Sequence, residues 1–266
     1  MEIRTVKVRE TVLGSGRTKI CVPLTGRCLK ELEEQIARLG GAPFDLLEWR
    51  ADYFAPLCDD DAALRALQMV RAAAGEEKGV LFTFRTKAEG GERALDAAEY
   101  EAMIRRITEI ACPAGQDGQE GCGLIDLVDL ELSLGAEALL RLGAFLHGRG
   151  IRTVMSEHHF DGTPTVEEMT GALRRMQELG ADITKLAVMP KDRSDVVRLL
   201  TAACLMADRY ADRPCVTMSM GKLGVLSRVS GCLTGCAFTF GTAGRASAPG
   251  QLPAESLEEI LGLLEE

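Results

Sequence analysis

Short apolar runs alternate with amphipathic patterns along most of the chain. "KICVPL", "FDLLEWRAD", "VLFTFRT", "LIDLVDLEL", "RTVMSEH", "ITKLAVMP", "CVTMSMG" and "CAFTFGT" have the length and the β-branched, apolar content of buried strands. Between most of them the spacing becomes helical. In "LDAAEYEAMIRRITEIA", Tyr100, Met103, Ile104, Ile107 and Ile110 follow i, i+3, i+4, i+7 and predict a helix. Asp59 or Asp60 is placed to cap a helix carrying Leu64, Leu67 and Val70. "TVEE", Thr165 to Glu168, reads as a capping box before Met169, Leu173 and Met176. Gly40-Gly41 and Gly180 stand where helices end. Ahead of this rhythm, "TVKVRETVL" alternates and predicts one or two short strands with a turn at Gly14-Ser15-Gly16.

Strand–helix alternation argues for a parallel sheet. Eight such units in 266 residues predict a closed (β/α)8 TIM barrel, with residues 1–266 forming one domain. An open doubly wound sheet would favour a glycine fingerprint after its first strand, and "PLTGRC" is not one. "CPAGQDGQEGCG", residues 112–123, reads as a surface insertion.

Composition narrows the function classes. A hydrophobic fraction of 46% with 27% charged residues is that of a soluble globular chain. The net charge of −9 argues against a general nucleic-acid binder, though a local arginine cluster still suits a small anion. Nine cysteines, none in Cys-x-x-Cys, read as free thiols in a reducing compartment. Neither Cys232 with Cys236 nor Cys112 with Cys122 resembles a zinc site. "MEIRTVKVRE" is too charged for a signal peptide, and no apolar run is long enough to span a bilayer. The expected compartment is the cytoplasm, with no membrane partner.

In a barrel the site forms at the C-terminal ends of the strands. Glu48 and Arg50, two apart, share one face of the second strand. Arg85 ends the third, and Glu89 follows beside Gly90 and Gly91. Asp129 and Glu131 share a face of the fourth strand, as ion-paired carboxylates or as metal ligands with a histidine. His158 and His159 end the fifth and point to opposite faces, so one of them enters the site. "DITKLAVMP" carries Lys185 in the middle of an apolar strand. Such a lysine either snorkels its ammonium to the rim or presents a neutral amine, favoured by burial, to a ketone. Arg228 follows the seventh strand, and "GKLG" beside it is not a P-loop. After the eighth strand "GTAGRASAPGQLP" suggests a mobile lid, with Ser247 and Gln251 as uncharged hydrogen-bonding groups.

Together "LEWRAD", "FTFRTKAEGG", "MSEHHFDGTP", "DITKLAVMP", "MSMGKLGVLSR" and "ASAPGQ" resemble the type I 3-dehydroquinate dehydratases, in that family's order and over most of the chain. The resemblance implies a barrel closed at its bottom by an N-terminal β-hairpin, residues 1–18. It implies dehydration of 3-dehydroquinate in the shikimate pathway with no metal or other cofactor, by a homodimer. It assigns the imine to Lys185, proton transfer to His158 and the orientation of that histidine to Glu89. It places Glu48, Arg50 and Arg85 on the hydroxyl side of the substrate. Arg228, Ser247 and Gln251 take the carboxylate side. The chain departs from the family at His159, where an acidic residue or Asn is frequent, and at Pro23, where some members carry serine. The competing readings are a class I aldolase, which needs a phosphate site after the last two strands, and a non-catalytic barrel that senses a quinate-like ligand.

Overall fold

A computed structural model of the chain describes residues 3–113, 123–244 and 247–264. Most of the 112–123 insertion, Cys122 included, and Arg245 and Ala246 of the expected lid lie outside the described residues. A hairpin of β1 (Val6–Val8) and β2 (Thr11–Leu13) comes first. The eight expected strands follow: β3 (Lys19–Leu24), β4 (Leu46–Arg50), β5 (Gly79–Thr83), β6 (Leu127–Glu131), β7 (Arg152–His159), β8 (Ile183–Val188), β9 (Cys215–Ser219) and β10 (Phe238–Thr242). A two-residue β11 (Leu252–Pro253), with no signal in the sequence pattern, adds to β10. The helices are α1 (Leu29–Leu39), α2 (Asp60–Ala74), α3 (Ala97–Ala111), α4 (Ala136–His147), α5 (Val166–Glu178), α6 (Arg193–Leu205), α7 (Gly231–Thr234) and α8 (Ala254–Leu264).

Helix starts follow their caps. Asp59 accepts the Ala62 N–H at 3.1 Å and opens α2. Thr165 and Glu168 close a reciprocal capping box at α5, and Asp96 with Glu99 forms a second at α3. In α2 the buried stripe includes Ala63, Ala66, Leu67 and Val70, with the expected Leu64 only half-buried.

The strands pair in parallel in the order β10-β3-β4-β5-β6-β7-β8-β9. Between β9 and β10 the barrel closes on a thin seam. The Ala237 N–H donates to the Cys215 carbonyl at 2.8 Å, beside a single bridge between Cys215 and Cys236. The result is the expected (β/α)8 barrel. Outward residues such as Trp49, Phe82, Met155 and Leu186 pack under the helices.

Inward residues change character along the barrel axis. At the N-terminal ends Leu46, Leu81, Leu127, Val154, Ile183 and Phe238 form an apolar floor. Val6, Val8 and Leu13 of the hairpin cover it. A Cβ at Gly79 would lie 2.6 Å from Val8 Cγ1, so that glycine lets the hairpin seat closely. The hairpin turns at Arg9–Glu10, and the expected turn at Gly14–Gly16 follows β2 and leads into β3. Arg9 sits at φ 56, which costs a non-glycine residue about 1–3 kcal/mol. Its side chain offsets that strain by donating to Asp126 at 2.7 Å and to the Gly123 carbonyl at 2.9 Å. Two residues further along β4 to β8 the inward positions turn polar, at Glu48, Thr83, Asp129, Ser156 and Lys185, and there the site begins.

Candidate active site

Period-two alternation brings Glu48 and Arg50 of β4, Asp129 and Glu131 of β6, Ser156 and His158 of β7, and Lys185 of β8 into the lumen. They surround a cavity at the C-terminal mouth of about 650 Å³, its open mouth included. The cavity is lined by every site residue anticipated from the sequence: Lys185, His158, Glu89, Glu48, Arg50, Arg85, Arg228, Ser247 and Gln251.

Lys185 is 3% exposed, and β7–β8 register sets it directly opposite Ser156. Its Nζ donates to Asp129 Oδ2 at 3.0 Å and lies 4.8 Å from the centre of the Phe240 ring. An apolar strand accommodates this charge because β6, on the far side of β7, supplies a carboxylate to the lumen. The other oxygen of Asp129 accepts from Arg85 Nη2 at 2.7 Å and Ser156 Oγ at 2.6 Å. Burial pushes the Asp129 carboxyl up, but Arg85 and Lys185 reverse this and hold it at about 2.

Arg85 also donates to Glu131 at 2.9 Å and, more loosely, to Glu89 at 3.4 Å. Burial alone disfavours its guanidinium, yet Asp129, Glu131 and Glu89 fix the charge more firmly than in water. Glu131 accepts further bonds from the Thr86 N–H and hydroxyl. The carboxylates of β6, considered above as metal ligands, are thus engaged by cations and by Thr86. Arg50 makes a two-pronged pair with Asp52 at 2.8 and 2.9 Å and stacks 5.0 Å from the centre of the Tyr53 ring. Glu48 accepts from Thr83 Oγ1 at 2.8 Å.

Glu89 is positioned by a tight loop. A short 3-10 helix, Lys87–Glu89, ends in Gly90 at φ +83, and the Gly91 N–H returns to the Thr86 carbonyl at 2.8 Å. A Cβ at Gly91 would lie 1.9 Å from the Arg85 carbonyl oxygen, and one at Gly90 would enter the Phe160 ring at 2.2 Å. No side chain fits at either position, so the glycine pair is what lets Glu89 face inward. There Glu89 Oε2 lies 2.9 Å from His158 Nδ1, and Oε1 accepts from Ser133 at 2.9 Å.

The two members of this pair shift toward their neutral forms. Burial, with Arg85, Lys185 and Arg50 nearby, holds His158 well below the usual histidine range. Burial pushes Glu89 up to about 7, since Arg85, which would lower it, is shared with Glu131 and Asp129. Above that pH the histidine is neutral, its Nδ1–H donates to the carboxylate, and Nε2 is left free to take a proton. A glutamate unfolded titrates near 4.5, so the folded chain binds the Glu89 proton more tightly. Folding therefore takes up a proton between those values, and stability drops as pH rises from about 4.5 to about 7. Glu89→Gln is expected to raise stability above pH 7 by roughly 3 kcal/mol or less, with the gain vanishing toward pH 4.5. Urea unfolding at the two pH values checks this, and an equal gain at both would contradict it.

His159 takes the other face. Its side chain is 36% exposed and its Nε2 lies 3.3 Å from Glu157 Oε1. At the opposite side of the mouth, Arg228 ends the 3-10 helix Leu223–Arg228 and is 2% exposed. Its Nη2 donates to the Pro249 carbonyl at 3.1 Å, while its buried Nε has no hydrogen-bond partner among the described residues. No carboxylate pairs with it among the described residues, and burial pushes it down to about 10. The Gly221 N–H also donates to Pro249, so the segment around Ser247 and Gln251 lies against the mouth. Gln251 accepts the Ser247 N–H at 2.8 Å and donates to Ser247 Oγ at 3.0 Å.

Two members of this arrangement, Asp129 as partner of Lys185 and Asp52 as partner of Arg50, were not anticipated as site residues. The two-residue spacing of Asp52 from Arg50 was a local signal for that pair, whereas the spacing of Asp129 from Glu131 does not name Lys185, a partner on another strand. Among the described residues no group of three or more His, Cys, Asp or Glu is set to hold a metal ion, and no helix is long and apolar enough to cross a membrane. No two of the described cysteines form a disulfide with each other.

This geometry has close relatives. The 3-dehydroquinate dehydratase of Bacillus licheniformis is 42% identical over 261 residues, covering 98% of each chain. That of Salmonella paratyphi B is 42% identical over 262 residues, covering 98% of this chain and 99% of its own. Among solved structures, the type I 3-dehydroquinate dehydratase of Clostridium difficile, with covalent modified comenic acid, has a TM-score of 0.89 at 38% identity, covering 99% of this chain and 98% of that one. The 3-dehydroquinate dehydratase of Geobacillus kaustophilus has the same TM-score at 35% identity, covering 98% and 96%. The family model for type I 3-dehydroquinase matches residues 20–266, which spans the whole barrel from β3 onward. With full-length likeness in sequence and in fold, the chain belongs to the type I 3-dehydroquinase family.

Proposed function

We propose that this chain removes water from 3-dehydroquinate through an imine on Lys185, giving 3-dehydroshikimate in the shikimate pathway. The observation that carries the residue roles is the convergence of Lys185 and the Glu89–His158 pair on one buried cavity. The Lys185 amine attacks the ketone carbon, the C–N bond forms, and the carbonyl oxygen leaves as water. The protonated imine draws electrons from the neighbouring α-carbon, and His158 Nε2 takes the α-proton. The electron pair returns to expel the β-hydroxyl, which leaves as water with a proton from His158. Hydrolysis of the product imine restores Lys185. Glu89 keeps Nδ1 of His158 engaged, so that Nε2 faces the reacting carbons.

Arg228 holds the substrate carboxylate, with Ser247 and Gln251 closing beside it. A buried guanidinium without a carboxylate of its own supports this role. Glu48 and the paired Arg50 and Arg85 line the hydroxyl side. Arg228→Ala is expected to raise KM by ~30–150-fold, the equivalent of about 2–3 kcal/mol for a charge-assisted pair. Initial rates over a range of substrate concentration check this, and an unchanged KM would remove Arg228 from the carboxylate site.

The same reading makes the chain a single cytoplasmic barrel domain that works as a homodimer on a small-molecule substrate. Exposed Val197, Leu226 and Leu233, on α6, the Leu223–Arg228 turn and α7, support an interface between copies. Absorbance of the conjugated enone, on mixing chain and 3-dehydroquinate, tests the reaction. No signal at high enzyme concentration would contradict it.

A further inference from the structure

Asp129 is the one carboxylate in contact with Lys185 Nζ among the described residues, and the assigned reaction steps do not use it. We infer that Asp129 is the fixed counter-ion of the reacting nitrogen, holding Nζ in place before attack and keeping the imine nitrogen positively charged afterwards. This rests on the Schiff-base reading and adds a residue to it.

The geometry supports the assignment at each atom. Oδ2 accepts from Lys185 at 3.0 Å, whereas Oδ1 is anchored by Arg85 and Ser156. The Tyr100 hydroxyl donates to the Asp129 carbonyl at 3.0 Å and fixes the backbone beneath. Asp129 is 0% exposed, so water cannot replace either partner.

Charge balance gives the second argument. Arg85 and Lys185 face Asp129 and Glu131, two cations against two anions in one buried cluster. Glu89, which meets Arg85 at 3.4 Å and is held up to about 7 by burial, adds a third carboxylate at higher pH. From β4 and β3, Glu48 and Cys21 face the same region, and neither carries a positive charge. Arg50 is neutralised by Asp52, and Arg228 lies across the cavity. A neutral imine nitrogen would leave Asp129 and Glu131 sharing one guanidinium, so the cluster favours the protonated imine. Only the protonated imine withdraws electrons strongly enough to acidify the α-carbon. The carboxylate that positions the lysine thus also sustains the elimination.

The test is reductive trapping with cyanoborohydride, which reduces the protonated imine selectively, as a function of pH and in the presence of 3-dehydroshikimate. In the unaltered chain the trapping rate at Lys185 is expected to persist well into the alkaline range. Asp129→Asn, which keeps the shape and removes the charge, is expected to lower kcat by ~10²–10³-fold and to move the alkaline limb of both trapping and kcat to lower pH. KM is expected to change far less than kcat. If Lys185 of the unaltered chain is never trapped, the Schiff-base reading itself fails. If it is trapped but its rate already falls away at neutral pH, the counter-ion assignment is overturned, whether or not the variant folds. A folded Asp129→Asn chain with an unmoved alkaline limb overturns it as well.

Discussion

Replacing Lys185 by alanine is expected to lower kcat by ~10⁴–10⁶-fold, the scale seen when a covalent nucleophile is removed. No neighbour can substitute for it. Lys222, the lysine that precedes the turn ending in Arg228, is exposed. The fold should survive the change. Asp129 keeps Arg85 and Ser156 as partners when the ammonium is lost, so the cost of sharing one guanidinium with Glu131 falls on stability more than on the fold. The measurement is enone formation at high enzyme concentration, with circular dichroism to confirm the barrel. A Lys185→Ala chain within tenfold of the parent would show that the nucleophile lies elsewhere.

His158→Ala is expected to lose ~10²–10⁴-fold in kcat, the usual contribution of a positioned acid–base group. His159→Ala should keep most of its activity. The contrast follows from alternation along β7, which turns one ring to Glu89 in the cavity and the other to Glu157 outside. The pair also bears on the family departure at His159. That residue lies near enough to add slightly to the depression of His158, after burial, Arg85, Lys185 and Arg50. Its removal is therefore a small adjustment to the site and not a loss of function. Parallel rate measurements on the two variants decide this. The reverse pattern would mean that β7 runs in the other register.

Much of this was legible in the chain because the barrel repeats a local rule. Each strand carries its own alternation, so Lys185, His158, Glu48 and Arg228 reveal their placement from the segments around them. Capping residues such as Thr165 with Glu168 mark the helix starts in the same local way. What stayed hidden depends on pairing between strands. Asp129 has no local feature that points to Lys185, since the contact is set by the stagger of β6, β7 and β8. Arg85, read as a group facing substrate hydroxyls, lies in the cavity wall with its nitrogens engaged by Asp129, Glu131, Glu89 and Ser156. The turn at Arg9–Glu10 stayed hidden for a related reason: Asp126, 117 residues from Arg9, is what holds it, whereas Gly14–Gly16 shows its turn in its own composition. Gly90 and Gly91 were seen as permitting a tight loop, while the Phe160 ring that requires Gly90 comes from a different strand end.

The catalytic reading therefore turns on one bond, between Lys185 Nζ and the substrate ketone carbon. Borohydride reduction of the chain in the presence of 3-dehydroquinate or 3-dehydroshikimate makes that bond permanent, and peptide mass spectrometry locates it. A single adduct is expected, on the peptide containing Lys185. No adduct, or an adduct on Lys222 instead, would contradict this reading.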